Sequence, residues 1–166
     1  MKNLLLLLLG GLFLVSCGTN PEPKTIYIVR HAEKMVVEDP DPELAQVGTI
    51  RAKKLAQILA DKEIKHIFST DYKRTRMTAQ PTADLAGIQI ESYDPRDQEA
   101  FAEKLEGLEG NILVVGHSNT VPELANFFIG SGEKYPNLTD DEYQFIYVVT
   151  FSEKGEKVEQ KTYKEF

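Results

Sequence analysis

Three short runs of this chain carry residues able to do chemistry on an anion. Val29-Arg30-His31-Ala32-Glu33-Lys34 sets a nitrogen nucleophile beside a fixed positive charge. Ser69-Thr70-Asp71-Tyr72-Lys73-Arg74-Thr75-Arg76 is a basic run in which one arginine is expected to face inward and the other to lie on the surface. Val114-Val115-Gly116-His117-Ser118-Asn119 passes through a glycine into a second histidine near a helix start, where backbone amides and the helix dipole favour an anion. Brought together, two histidines and two arginines would surround a cavity of the size and charge of a phosphate. Phosphoryl transfer needs such a set: an in-line nucleophile, and donors on the equatorial oxygens where charge spreads. His31 must be neutral to attack, and Arg30 beside it disfavours the imidazolium. An arginine fork grips two phosphate oxygens at once, which a lysine does not copy.

These runs need elements that deliver them to one place, and the pattern supplies them. Thr25 to Val29 is a β-branched and aromatic run, a buried strand, and Glu43 to Asp61 has apolar residues near a 3.6 period, an amphipathic helix. His66 to Ser69 reads as a second strand. Arg74 to Leu85 reads as a helix that Pro81 should kink or break. Ile88 to Tyr93 alternates as a third strand, Glu99 to Leu108 is a helix closed by Gly107 or Gly110, and Asn111 to Val115 is an apolar strand. Val121 to Ile129 is a further helix. Phe145 to Phe151 and Val158 to Tyr163, around Lys154-Gly155, form a terminal hairpin. Strand–helix alternation predicts one α/β domain over residues 24–166, a three-layer α/β/α sandwich with a mostly parallel sheet and an antiparallel C-terminal edge. Sites in such sheets lie beyond the carboxyl ends of the strands, where all three runs fall.

Arg30-His31-Ala32-Glu33 resembles the Arg-His-Gly-Glu motif of the histidine phosphatases, the phosphoglycerate mutase-like superfamily. Lys73 to Ala79 is similar to that family's second arginine segment, and Gly116-His117-Ser118 to its second histidine motif. Leu44 to Ala52 resembles its Leu-Thr-x-x-Gly-x-x-(Gln/Arg)-Ala helix. The resemblance runs in order through nearly all of Lys24 to Ile129. It implies a phosphohistidine on His31, phosphoryl oxygens held by Arg30, Arg74 and His117, and no metal or other cofactor. Arg76 is then the surface arginine. Ala32 stands where the family has glycine, so the backbone there accepts a Cβ, and Ala45 replaces a capping threonine. For the general acid, Asp94 just past the third strand is the choice, with Glu91 and Glu33 as alternatives, Glu33 looking more like an orienting neighbour. His66 has no motif around it and reads as structural or exposed.

The first 16 residues, Lys2 and then a leucine-rich run ending Leu14-Val15-Ser16-Cys17, read as an export signal resembling a lipobox. Cys17, the sole cysteine, would carry lipid, and residues 17–23 would form a tether to an extracytoplasmic domain on a cell-envelope membrane. Removing the signal leaves about 150 residues, enough for one core. The net charge of −7 and scattered basic residues exclude a nucleic-acid footprint. Two adjacent arginines oppose a dication between the histidines, and Asp39-Pro40-Asp41-Pro42 reads as a stiffened turn without the glycine and glutamate of a calcium loop. The expected activity is hydrolysis of a small phosphomonoester or phosphoamidate. The chain is short for the insertions of a mutase. The rival reading is a lipid-anchored protein that binds phosphate or a phosphorylated ligand without turnover.

Overall fold

Successive side chains of a strand go to opposite faces, and here both faces are covered. The computed structural model describes residues 24–153 and 155–166. The expected signal, the expected lipid site at Cys17 and the expected tether lie outside the described residues. In chain order the elements are β1 (Lys24–Arg30), α1 (Gln46–Leu59), β2 (Ile64–Ser69), α2 (Lys73–Ala86), β3 (Ile90–Ser92), α3 (Gln98–Gly107), β4 (Asn111–Gly116), α4 (Thr120–Phe127), β5 (Phe145–Ser152) and β6 (Gly155–Thr162). The strands form one sheet in the order β3-β2-β4-β1-β5-β6. β3, β2, β4 and β1 run parallel, and β5 and β6 complete the sheet antiparallel. The fold is the expected α/β sandwich.

Tyr27 and Val29 of β1, with Ile67, Leu113, Val115, Ile146 and Val148, meet Leu55, Ile58 and Leu59 of α1 and Ala79 and Ala83 of α2. The alternate residues Ile26 and Ile28, with Phe68, Ile112, Val114, Tyr147 and Val149, meet Phe101 and Leu105 of α3 and Val121 and Leu124 of α4. No helix among the described residues is long and apolar enough to cross a membrane.

Several boundaries differ from the sequence pattern, each for a physical reason. The helix expected from Glu43 starts at Gln46 because residues 43–45 pair with the loop after β1. Met35 N donates to Glu43 O, Ala45 N donates to Glu33 O, and Lys34 and Leu44 form an antiparallel bridge. Ala45 then caps α1 without a side-chain hydrogen bond, as its lack of a hydroxyl dictates. Helix α2 runs uninterrupted through Pro81. The third strand shrinks to three residues at the sheet edge. Asp97 caps α3, its carboxylate accepting from Ala100 N at 3.1 Å.

The far end of β1 is also fixed. The buried Lys24 ammonium donates to the carbonyls of Leu105, Glu106 and Leu108 at 3.0, 2.7 and 3.0 Å. A cation there complements the C-terminal dipole of α3.

Gly48 joins fold to site, because a Cβ on it would overlap the carbonyl oxygen of Glu33, two residues past His31. Gly48→Ala tests that contact. Alanine normally gains about 1 kcal/mol over glycine inside a helix, but overlap with fixed backbone reverses the sign. We expect a net loss of about 1–3 kcal/mol, read as a lower urea midpoint at unchanged slope.

Candidate functional site

The site begins where the parallel ladder runs out. Arg30 of β1 lies opposite Gly116 of β4, and Ser69 of β2 opposite Val115. The next amides continue the pattern: His31 N donates to Gly116 O at 2.9 Å and Thr70 N to Val115 O at 3.4 Å. Sheet register therefore sets His31, Thr70 and His117 side by side. Gly116 leaves room for its neighbours, since a Cβ would lie 2.7 Å from the Tyr93 hydroxyl and 2.9 Å from Thr120 Oγ1, and those side chains would have to shift.

The rings of His31 and His117 meet edge to face, centroids 5.5 Å apart at 69°. His31 is buried, and its Nδ1 lies 2.8 Å from the carbonyl oxygen of Ala32. A carbonyl can only accept, so Nδ1 carries the hydrogen and the neutral ring keeps its lone pair on Nε2. Burial pushes the His31 pKa down to about 3, with Arg30, Arg74 and His117 adding to the effect and the Ala32 carbonyl opposing it. Burial, then Arg74 and Arg30, bring His117 down to about 4, against the carboxylate of Asp41. Near neutral pH the site holds two uncharged imidazoles, one with Nε2 bare. His117 Nε2 lies 2.9 Å from the Thr70 hydroxyl, which is in turn 3.0 Å from that of Thr75.

The two arginines flank this pair in matching fashion. Nη1 of Arg30 donates to the carbonyls of Thr139, Asp140 and Glu142 at 2.6, 3.4 and 3.2 Å, and its guanidinium lies over the Tyr143 ring at 4.1 Å. Nη1 of Arg74 reaches Asp41 at 3.4 Å, with its guanidinium over the Tyr72 ring at 4.4 Å. Each arginine keeps a buried Nε without a hydrogen-bond partner. An unpaired buried donor costs about 1–3 kcal/mol, and two on cations beside a pair of neutral histidines suit an incoming anion. The His117 amide, by contrast, is used internally, donating to Thr120 Oγ1 at 3.0 Å.

Other residues of the sequence reading fall around this centre. Ala32 is fully buried with a negative φ, so the chain accepts its Cβ. Its amide donates to Thr78 Oγ1 at 2.9 Å, while that hydroxyl donates to Arg74 O at 2.7 Å, tying the His31 loop to α2. Glu33 is gripped by Arg51, whose Nε lies 3.0 and 2.9 Å from its two oxygens. Burial raises the Glu33 pKa, but the Arg51 hydrogen bonds outweigh it and hold the carboxylate below its ordinary range. Glu33 is thus an orienting neighbour. Arg76 faces outward to Ser92 and Asp71, and His66 stacks on Phe68.

The structure does not bring Asp94 to the histidines. Its exposed carboxylate is bound by Arg96 Nε and Nη2, at 2.9 and 2.6 Å, and held well below the usual carboxylate range. Glu91 is exposed and pairs with Lys104 at 3.5 Å. Sequence reasoning missed Tyr143 and the 139–142 carbonyls, over a hundred residues from Arg30 with no motif around them. It read Asp41 only as part of a turn. The turn is real, Asp41 N donating to Asp39 Oδ1 at 2.8 Å, but the Asp41 carboxylate also holds the α2 N-terminus through Lys73 N at 3.0 Å.

The sequence model of the histidine phosphatase superfamily, branch 1, matches residues 26–110. The chain belongs to the histidine phosphatase superfamily. The matched span contains Arg30, His31 and Arg74, and His117 lies just beyond it. Among curated proteins, the probable phosphoglycerate mutases GpmB of Yersinia pestis and Yersinia pseudotuberculosis are 34% identical over 120 residues, covering 57% of this chain. The match spans 56% of their length, about half of those relatives. Among solved structures, the protein histidine phosphatase SixA complexed with tungstate superimposes with a TM-score of 0.67 at 18% identity, over 85% of this chain and 98% of that one. A phosphoglycerate mutase from Bacillus anthracis gives 0.66 at 15%, over 86% and 94%. At such identities these two superpositions speak for the fold of this chain and no further.

The depressed histidine pKa values make acid stability a test of the site. An unfolded histidine takes up its proton near pH 6.5, whereas these two stay neutral in the native state down to about 3 and about 4. The unfolded state therefore binds more protons below about pH 6.5, and native stability falls as pH drops, by up to about 1.4 kcal/mol per unit per histidine. We expect the urea midpoint to fall less steeply between pH 7 and pH 5 in His31→Gln than in the parent chain. Parallel profiles would show that burial of His31 is not the cause.

Proposed function

We infer that this histidine phosphatase hydrolyses a phosphomonoester, or a phosphoamidate, through a phosphohistidine on His31. One observation carries the reading: the Nδ1 contact to Ala32 O leaves Nε2 of a neutral, buried His31 free to attack. In the proposed reaction, Nε2 attacks phosphorus while Arg30 and Arg74 donate through their free Nε atoms to the equatorial oxygens. His117 stabilises the same group from the opposite side. The P–O (or P–N) bond to the leaving group breaks as the N–P bond forms, and water then releases phosphate from His31. No metal enters this scheme, because the two guanidinium charges already serve the phosphoryl group.

Hydrolysis suits the charges better than mutase chemistry. Beyond Arg30 and Arg74, the neighbouring loops bring carboxylates, Asp41 at the start of α2 and Asp140 at 4.0 Å from Arg30. A second anionic group on a phosphoglycerate would meet repulsion there. One observation favours the rival reading of a non-catalytic phosphate binder: Asp94, the proposed acid, is engaged by Arg96 away from the histidines. A poor leaving group would then need another proton source, whereas an activated one needs none.

p-Nitrophenyl phosphate in EDTA separates the readings. We expect turnover by the parent chain, loss of at least about a thousandfold in His31→Ala, and a trapped, acid-labile phosphoryl group on His31 by mass spectrometry. Binding of inorganic phosphate with no turnover would establish the binder instead.

For the chain upstream of Lys24, we propose an export signal over residues 1–16 and lipid on Cys17. The domain would then face a small phosphorylated substrate on the extracytoplasmic side of an envelope membrane. Replacing Cys17 by serine is expected to move the protein from the detergent phase to the aqueous phase in a Triton X-114 partition. Unchanged partition would overturn the lipid anchor.

A further inference from the structure

The ion pair between Glu33 and Arg51 stands next to the proposed nucleophile and touches none of its reacting atoms. Arg51, in the second turn of α1, reaches the Glu33 carboxylate with Nε at 3.0 and 2.9 Å and with Nη2 at 2.5 Å. The side chains are only 24% and 19% exposed, so water does not screen the pair as it does at a surface. Behind the pair, the Arg51 guanidinium lies over the ring of Tyr163, just past β6, at 5.3 Å.

Joining the loop after β1 to the segment that leads into α1 does not need this pair. Ala45 N already donates to Glu33 O and Met35 N to Glu43 O, and the backbones close up at Gly48. What the pair adds is control over one peptide group. The carbonyl of that peptide, Ala32 O, lies 2.8 Å from His31 Nδ1. Its N–H belongs to Glu33 and is drawn to the Glu33 carboxylate, the group that Arg51 holds. Arg51, the carboxylate, the peptide and the His31 ring thus form one line of polar contacts. Hydrogen bonds in such a line polarise one another. A carboxylate at the N–H makes the carbonyl at the far end a better acceptor.

That carbonyl matters most during the reaction. In the proposed attack the Nε2 lone pair goes to phosphorus, Nδ1 keeps its hydrogen and the ring becomes positive. Arg30, Arg74 and His117 oppose positive charge on His31, whereas the Ala32 carbonyl favours it. An interaction that strengthens as charge develops raises kcat more than it changes binding.

We propose that Arg51 is a positioning residue for phosphoryl transfer: it holds the Glu33 carboxylate against the Ala32–Glu33 peptide, whose carbonyl fixes the His31 ring and meets its developing charge. The proposal rests on the phosphatase reading above. Arg51 acts only through Glu33. Tyr163 backs it with the face of its ring, since the Tyr163 hydroxyl is buried without a hydrogen-bond partner.

Turnover of p-nitrophenyl phosphate by the full chain, with the affinity for inorganic phosphate measured alongside, tests the assignment. In Arg51→Met we expect kcat to fall about tenfold to hundredfold, with KM and phosphate affinity within about twofold of the parent. General damage to the fold would weaken phosphate binding as well. Glu33→Gln should show the same loss, and adding Arg51→Met to it should cost nothing further, because both act on one line. Arg51→Lys, which keeps a cation at the carboxylate, should recover part of the loss. Unchanged kcat in Arg51→Met, phosphate affinity lost in step with kcat, or additive losses in the double variant overturns the proposal. If the parent chain leaves p-nitrophenyl phosphate intact, the phosphatase reading falls separately. The positioning is then decided by the ring nitrogen resonances of His31 in NMR spectra. We expect the Nδ1–H form in the parent and a mixture of the two tautomers in Arg51→Met. The Nδ1–H form alone in both proteins would overturn the assignment.

Discussion

Two guanidinium charges held beside one pair of histidines repel each other, and much of the structure around them answers that constraint. Neither arginine is neutralised by a close, fully formed ion pair. Arg30 is spread over three backbone carbonyls and a tyrosine face, and Arg74 over one side of Asp41 and another tyrosine face. Carbonyl dipoles and aromatic quadrupoles orient a cation without cancelling its charge. Burial is the main reason that both imidazoles stay unprotonated, and the positive charge of the two arginines adds to it. The two buried Nε groups without hydrogen-bond partners stand on cations beside the neutral histidines, a preorganisation of the kind that phosphoryl transfer exploits.

The sheet supplies the other half of that arrangement. Parallel strands β1, β2 and β4 end together, so three loops distant in sequence open at one edge. Small hydroxyl residues then lock the loops to one another. Thr70 and Thr75 hold His117, and Thr78 joins the His31 backbone to α2. These hydroxyls are buried, and their hydrogen bonds are short and local, so their directions are set by the backbone and not by flexible side chains. The Glu33–Arg51 pair and Gly48 serve the same loop from the α1 side.

The parallel core and the convergence of the two histidines were legible because they rest on local signals: β-branched runs, strand-end placement and short motifs. Arg74 was separable from Arg76 by family resemblance, and the structure places Arg74 toward the histidines and Arg76 toward solvent. What local signals could not reveal was which distant backbone would clothe the arginines. Nothing in Thr139-Asp140-Asp141-Glu142-Tyr143 announces that its carbonyls receive Arg30, since any residue supplies a carbonyl. Asp94 shows the reverse fault. Its position past a strand suited an acid, but Arg96 two residues on could close back on it, a pairing that strand-level reasoning does not weigh. The start of α1 shifted for a related reason: residues 43–45 have helical spacing, yet tertiary pairing with the loop after β1 claims their backbone first.

Lys24 gives the molecule a sense of direction. Its ammonium is socketed in the end of α3 at the foot of β1, while His31 stands at the head of the same strand. Seven residues at about 3.3 Å each set roughly 20 Å between these poles. A pull on the chain at Lys24 would therefore enter the domain at the end of β1 opposite the histidines. Tension on that end would run lengthwise along β1, against the ladders to β4 and β5 acting together, so the load is shared across many hydrogen bonds before it reaches the histidines.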